Sequence, residues 1–318
     1  MKATIFHNGL HLSETQISDE LKQCPICQST NRSIITNIQK NPDIFLKYCH
    51  NCHAVSASRL PTKESLDTYY NSYYQSNDEK ITFDKPGVFA NHLFNETHHY
   101  QQKQDFLKIL DFGGGGGLIS IELAKRYLDL GIKEVKVVIV DYDSSIINND
   151  VPGISIDKYS LLSSITDQKF DLIIASAIVE HLPNPKNEMT TLFELLEDEG
   201  QIYFRTPYIV PILLLLKKIG IIINFTYPGH IHDMGQEFWD NILKTFNMQK
   251  DFKIMSSKPS IIETSFSKHF YRTLAAYFIK SPWYILGNTW NFVGGWEILI
   301  QKKVSWGSQE NSLKDKAL

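Results

Sequence analysis

All four cysteines of the 318-residue chain stand in two pairs, Cys24 and Cys27 in "CPIC" and Cys49 and Cys52 in "CHNC", with 21 residues between the pairs. Two thiolates three residues apart can bite one metal ion from a tight turn, and two such turns complete a tetrahedron with no open position. That donor set is the pattern of structural zinc, and a closed four-cysteine site folds its module without activating water. Two disulfides are the competing use of the same residues, disfavoured in a reducing compartment. His50 and His53, beside the second pair, are available as substitute ligands, although a solvent-facing position is the plainer expectation.

A second constellation is "ILDFGGGGGLIS", Ile109 to Ser120. A flexible linker would be flanked by polar residues. This glycine run instead follows the apolar "FLKIL" and precedes "LISIELAKRYLDLG", where Leu118, Ile121, Ala124 and Leu128 have helical spacing. Strand, glycine loop and helix in that order put bare backbone and helix-start N–H groups at the carboxyl end of a parallel strand, where a ligand can approach closely. The dinucleotide fingerprint G-x-G-x-x-G does not fit, because its third position falls on Leu118 or Ser120. The frame that fits is Asp111-x-Gly113-x-Gly115-x-Gly117, an acid two residues ahead of three alternating glycines.

Downstream, "VIVDYD" ends a strand in Asp141, and "FDLIIASAIVEHL" runs a buried strand into Glu180 and His181. Together with the glycine frame, in this order, these motifs resemble the class I S-adenosylmethionine-dependent methyltransferases over roughly residues 106–303. The resemblance implies an α/β fold with a Rossmann-like, doubly wound, seven-stranded sheet whose edge hairpin comes from "FKIMSS" and "GGWEILIQKK". It also implies that Gly113, Gly115 and Gly117 wrap the methionine part of S-adenosylmethionine and that Asp111 sits near its amino group. Asp141 would take the ribose hydroxyls as a two-oxygen acceptor, and Asp157, after the third strand, the adenine amino group. Taken singly, each of these acids could instead be a turn or cap carboxylate.

The cysteine module ahead of such a domain resembles bacterial enzymes that methylate sugars, whether nucleotide-linked or in surface-polysaccharide and antibiotic clusters. In that group a Glu-His pair after the fourth strand is implicated in proton removal. His181, assisted by Glu180, is therefore the expected general base, with a backbone-capping role as the alternative. Tyr69, Tyr70, Tyr73 and Tyr74 offer stacking surface or inter-domain packing. His230, His232 and Asp233 in "YPGHIHDMG" read as part of a lid, and Arg205 and Tyr208 as acceptor-facing residues after the fifth strand.

The elements that must position these groups divide the chain into a zinc-ribbon-like module over 1–62, a helical connection over 63–105 and the methyltransferase domain over 106–304. That domain carries lid insertions at about 207–240 and 259–290, and a polar tail follows at 305–318. Within it "NEMTTLFELLEDEG" reads as a helix and "GQIYFRTP" as a strand. The formal charge of −3 and the absence of basic clusters argue against a nucleic-acid partner. An RNA methyltransferase whose zinc module grips nucleic acid and a non-catalytic binding protein are the alternatives to a small sugar-type acceptor. The first twenty residues lack the apolar core of a secretory signal, which predicts a cytoplasmic protein. "IVPILLLLKKIGIIINF" is too short and too charged to span a bilayer, but with "YFIKSPWYILGNTWNF" it leaves peripheral membrane contact open. Oligomeric state has no signal.

Overall fold

The computed structural model describes residues 9–75, 85–100, 105–142, 151–221 and 225–304. The expected tail lies outside these, as do the side chains of Tyr73 and Tyr74.

The N-terminal part is a small antiparallel sheet of β1 (Arg32–Gln39), β2 (Ile44–Cys49) and β3 (Val55–Ala57), with the cysteine pairs in the turns at its end. Helices α1 (Lys63–Gln75) and α2 (Pro86–Thr97) lead to β4 (Phe106–Phe112), the glycine loop and α3 (Leu118–Leu130). Gly131 closes α3 in the left-handed conformation, φ 111°, which a residue with a Cβ rarely adopts. Then follow β5 (Glu134–Val140), β6 (Ile154–Tyr159), β7 (Phe170–Ser176), α4 (Pro185–Glu194) and β8 (Leu196–Tyr208). The chain continues through α5 (Val210–Lys218), β9 (His232–Asp233), α6 (Gln236–Asp240) and α7 (Ile242–Thr245). It ends with β10 (Phe252–Pro259), α8 (Phe270–Lys280), α9 (Trp283–Leu286) and β11 (Gly294–Lys302).

The large sheet has seven strands in the order β10-β11-β8-β7-β4-β5-β6, as expected. All run parallel except β11, which is antiparallel to both neighbours, so the closing strands do form the edge hairpin. The strands read as continuous Val/Ile/Leu runs because both faces are covered. One face packs Ile109, Val137, Leu172 and Leu299 against α2 and α3, and the other packs Leu110, Ile173, Phe204 and Ile298 with Phe238 and Trp239. Strand order reverses at β4, which pairs with β5 on one side and β7 on the other. At such a switch point the loops leaving the carboxyl ends diverge and open a crevice.

Two boundaries differ from the sequence reading. "LEDEG" is not the end of a helix: α4 stops at Glu194 and β8 begins at Leu196, because tertiary pairing with β7 and β11 overrides the local helical propensity of Leu and Glu. The "RTPY" stretch belongs to the same long strand. The insertion after β8 is also no detached lid. Its β9 adds a fourth strand to the N-terminal sheet through Val55 with Asp233 and Ser56 with His232. Val210, Leu213, Phe225 and Ile231 of this insertion share a core with Ile44, Leu46 and Ala57. Cys24, Cys49 and Cys52 lie in the same core cluster as Trp239 and Phe238, so the cysteine module is packed onto the large domain.

Candidate active site

Gly113, Gly115 and Gly117 all sit in the left-handed region, at φ 78°, 55° and 83°, where an L side chain costs about 1–2 kcal/mol. Their missing side chains have different neighbours. A Cβ at Gly113 would lie 2.8 Å from Ile178, one at Gly117 2.4 Å from Ile139 Cδ1, and one at Gly114 2.3 Å from the Asp111 carboxyl carbon. At Gly115 a Cβ meets nothing within 4 Å. The outer glycines thus let the loop press onto the sheet, while Gly115 fronts open space.

Asp111 lies beneath the loop, 5% exposed, and burial pushes its carboxyl up to about 6. Its Oδ2 is buried with no hydrogen-bond partner among the described residues. Asp141, just past β5, accepts the Gly115 N–H on Oδ2 at 2.8 Å, and Lys158 Nζ donates to the Gly115 carbonyl at 2.8 Å. The two peptides flanking Gly115 are therefore each held by one of these side chains. A carboxylate offers roughly four acceptor positions, the chemistry that a pair of hydroxyls requires. The orphaned oxygen under the loop and the open space at Gly115 fit a ligand with a cationic amino group, as S-adenosylmethionine has.

Asp157 is placed differently from the sequence reading. Strand β6 runs on to Tyr159, so Asp157 pairs with Val138 inside the sheet and its carboxylate meets Lys136 Nζ at 2.7 Å. The ladder to β5 extends the strand two residues past the expected end. Lys158, which reaches the glycine loop, carried no signal in the motif.

On the same sheet edge a single 3-10 turn after β7, Val179 to His181, carries the Glu-His pair. Glu180 is 1% exposed and its Oε2 is buried with no partner among the described residues. Burial raises its carboxyl to about 8, so it holds a proton at neutral pH. His181 is driven the other way, to about 4, by burial that disfavours the imidazolium. Its Nδ1 lies 2.8 Å from the Gly229 carbonyl, which can only accept, so the N–H sits on Nδ1 and Nε2 keeps its lone pair. That Nε2 is 3.7 Å from Glu180 Oε1. The pair is a neutral acid beside a neutral base, able to receive one proton between them.

The connection helix completes the crevice. Tyr70 on α1 lies against Tyr142 with ring centroids 6.4 Å apart and planes 10° off parallel, and meets His181 edge-on at 6.4 Å. His230 approaches His181 at 4.9 Å between centroids. Ligand atoms of Glu180, His181 and His230 fall within 4.8 Å of one another, a donor set that a cation or a travelling proton could use. Tyr69 packs inward instead, 5% exposed. Tyr142 was missed as a site residue, although it directly follows Asp141.

The other candidates are structural. His232 is fully buried with its nitrogens 2.9 Å from Ser56 Oγ and from the Leu182 carbonyl, and burial lowers it to about 4. Asp233 Oδ2 accepts the N–H groups of Ile209 and Val210 at 2.7 and 3.0 Å, capping the start of α5. The "GHIHD" stretch thus divides, His230 towards the crevice and the other two into the inter-domain sheet. Arg205 is buried, donating to Ser176 Oγ at 2.9 Å and pairing with Glu263. Tyr208 packs so closely on Gly235 that a Cβ there would lie 2.1 Å from its ring. As inward-facing strand residues, neither is loop-borne as the sequence suggested.

The two cysteine turns repeat one backbone pattern. Gln28 N–H bonds the Cys24 carbonyl and Cys24 N–H the Ser29 carbonyl; His53 N–H bonds the Cys49 carbonyl and Cys49 N–H the Ala54 carbonyl. Gln28 and His53 both take left-handed φ, 63° and 64°. The four Sγ atoms lie within 4.8 Å of one another, with Cys24 to Cys52 at 3.7 Å and Cys27 to Cys49 at 3.5 Å. A zinc–sulfur bond of about 2.3 Å in a tetrahedron requires sulfurs about 3.8 Å apart, so the donor set fits zinc. No pair forms a disulfide. His50 instead reaches Ser33 Oγ at 2.9 Å and His53 the Tyr48 hydroxyl at 2.6 Å, neither as part of the sulfur cluster.

Comparison with known proteins agrees with this geometry. Residues 77–250, more than half of the chain, match the methyltransferase domain family. A ubiquinone biosynthesis O-methyltransferase of Glaesserella parasuis is 29% identical over 105 residues, 31% of this chain and 44% of that protein. One from Pseudomonas fluorescens is 27% identical over 118 residues, 36% of this chain and 50% of that one. The chain spans about half the length of the curated relatives it matches. Solved structures similar to it include the plantazolicin methyltransferase BpumL in complex with a triazolic desmethylPZN analog and SAH, at 17% identity and TM-score 0.46 over 76% of this chain and 93% of that one. Another is coclaurine N-methyltransferase bound to N-methylheliamine and SAH, at 15% and 0.41 over 71% and 76%.

Proposed function

The chain belongs to the methyltransferase domain family, and from that premise we propose that it moves a methyl group from S-adenosylmethionine to a small carbohydrate-type acceptor. The observation that carries this reading is one sheet edge bearing both the left-handed glycine loop over a buried, unpartnered Asp111 oxygen and the buried Glu180–His181 pair. Bound there, S-adenosylmethionine supplies an electrophilic methyl group. Gly113, Gly115 and Gly117 give it close backbone approach, Asp111 receives its amino group, and Asp141 its ribose hydroxyls. Asp157 is left as the proposed adenine contact only if Lys136 releases it. His181 takes the acceptor's proton on Nε2 as the acceptor atom attacks the methyl group, with the protonated Glu180 carboxyl as its polar neighbour 3.7 Å away. Tyr70 and Tyr142 flank the crevice and offer a face for a sugar ring. Cys24, Cys27, Cys49 and Cys52 hold a structural zinc that sets the N-terminal module against this crevice.

The curated relatives favour a second reading, since their name assigns those proteins O-methylation in ubiquinone biosynthesis. Both readings are tested by incubating the purified protein with methyl-labelled S-adenosylmethionine and, separately, sugar nucleotides, lipid-linked saccharides and phenolic quinone precursors. Label in a saccharide that falls at least tenfold with His181→Ala supports the first reading. Label confined to a phenol supports the second. Label in neither, from protein that binds S-adenosylmethionine, removes both.

A further inference from the structure

Helix α8 has its apolar stripe on the wrong side for a globular protein. Phe270, Leu274, Tyr277 and Phe278 recur at the spacing of one helix face, which a surface helix ordinarily turns to the core. Here all four are exposed, Phe278 at 70%, and the buried residue of the helix is Thr273. The stripe continues into α9, where Trp283 stacks edge-on against Trp296 at 5.6 Å and anchors the helix while Ile285 stands 88% exposed. It also reaches α5. Trp290 Nε1 donates to the Ile279 carbonyl at the end of α8, and Asn291 and Phe292 line a groove with Leu214, Leu215 and Lys218. Beyond α5, Ile219 and Ile221 are exposed as well.

The charges these stretches carry on this surface have one sign. Between Thr264 and Trp296, and again between Ile209 and Phe225, there is no Asp or Glu, whereas Lys217, Lys218, Lys268 and Arg272 are exposed within these stretches; Lys280 turns its ammonium in to Ser260, and Glu263, just ahead of them, is paired with Arg205. The chain as a whole has more acids than bases, 35 against 32. An apolar face bearing exposed cations, with aromatic side chains at its margin, complements an anionic bilayer surface. A second copy of the chain would oppose cation to cation across an isologous contact and gains no such complementarity.

We propose that the α5, α8 and α9 surface docks on anionic membranes. Among the described residues no helix is long and apolar enough to cross one, and the contact proposed is with the bilayer surface. Helix α5 leaves the carboxyl end of β8, and α8 and α9 lie between the end of β10 and the start of β11, where Gly294 pairs with Tyr208. That is the sheet edge bearing the glycine loop and the Glu-His pair, so docking turns the crevice towards the lipid. Resting on the proposed methyl transfer, the acceptor is then an amphiphile whose polar head enters the crevice while its apolar part stays in the bilayer.

The test is co-sedimentation of the full chain with phosphatidylcholine vesicles with and without phosphatidylglycerol, and calorimetric S-adenosylmethionine binding on the same preparations. Wild type should sediment with the anionic vesicles and lose them in high salt. Exchanging exposed cations in Lys218→Glu/Lys268→Glu should weaken this at least roughly 30-fold, about fivefold for each cation removed and more for the acid put in its place. Ile285→Asp and Phe278→Asp should weaken binding with no loss of thermal stability, since both side chains already face solvent. Wild type that ignores anionic vesicles yet binds S-adenosylmethionine, or a charge-reversed variant that sediments unchanged, overturns the surface. Velocity sedimentation showing a dimer that Ile285→Asp dissociates overturns it in favour of self-association. Vesicle binding without S-adenosylmethionine binding leaves the surface standing and removes the methyl-transfer reading.

Discussion

Replacing single glycines of the loop by alanine separates a ligand cradle from a merely tight turn. At Gly115 the backbone costs about 1–2 kcal/mol, because φ is 55°, and the new methyl group meets no atom within 4 Å. At Gly117 a comparable backbone cost is joined by a Cβ 2.4 Å from Ile139 Cδ1 on β5, and overpacking of this kind adds about 1–3 kcal/mol. Gly117→Ala should therefore be the less stable protein by about 1–3 kcal/mol, several degrees in melting temperature for a domain of this size. Ligand binding should rank the other way. A methyl group at Gly115 projects into the space the cofactor would fill and should weaken S-adenosylmethionine binding at least tenfold, about 1.4 kcal/mol. Thermal unfolding with and without S-adenosylmethionine reads both effects, because a ligand at 100 times its dissociation constant adds about 2.7 kcal/mol to the folded state. Wild type should gain that stabilisation and Gly115→Ala should lose at least about half of it, about 1.3 kcal/mol for a tenfold weaker site, while staying folded. A Gly115→Ala protein that keeps the full gain would refute the cradle.

Zinc assayed in purified protein should approach one ion per chain, and Cys27→Ser should lose it. Because Cys24 and Cys52 share a core with Trp239, chelation should lower the melting temperature of the whole protein and not only of the N-terminal sheet, as followed by tryptophan fluorescence. Asp233→Ala should cost about 1–2 kcal/mol by uncapping α5, with S-adenosylmethionine affinity unchanged by calorimetry. Glu180→Gln should flatten the pH dependence of stability. The folded wild type keeps this proton up to about pH 8 whereas the unfolded chain releases it near 4.5, so stability falls as pH rises between those values, by about 5 kcal/mol at most. Denaturant midpoints at pH 5 and pH 8 should lie closer together in the variant than in wild type, and an equal separation would contradict a protonated Glu180.

What could be read from the chain followed from how local each signal is. The cysteine turns and the glycine loop are closed by bonds within five residues, such as Gln28 to Cys24 and Gly117 N–H to the Gly114 carbonyl, so short motifs carried them. The seven-stranded sheet was legible because buried parallel strands are continuous apolar runs. The rest depends on partners far along the chain. Nothing in "HIHD" announces that His232 and Asp233 pair with Ser56 and Val55 more than 170 residues away, and a histidine-rich loop therefore read as a free lid. Strand β8 hides its first turn in helix-forming residues, and its register with β11 turns Arg205 inward to Ser176 and Glu263. Asp157 followed a motif position, but the extra ladder of β6 moved that position into the sheet.

The most direct measurement of the central claim is calorimetric titration of zinc-replete protein with S-adenosylmethionine, with NADH as the competing nucleotide and Asp141→Ala alongside. The account predicts one micromolar site for S-adenosylmethionine, no heat with NADH, and loss of binding in the variant. Folded protein that takes up no S-adenosylmethionine, or that binds NADH in its place, would contradict it.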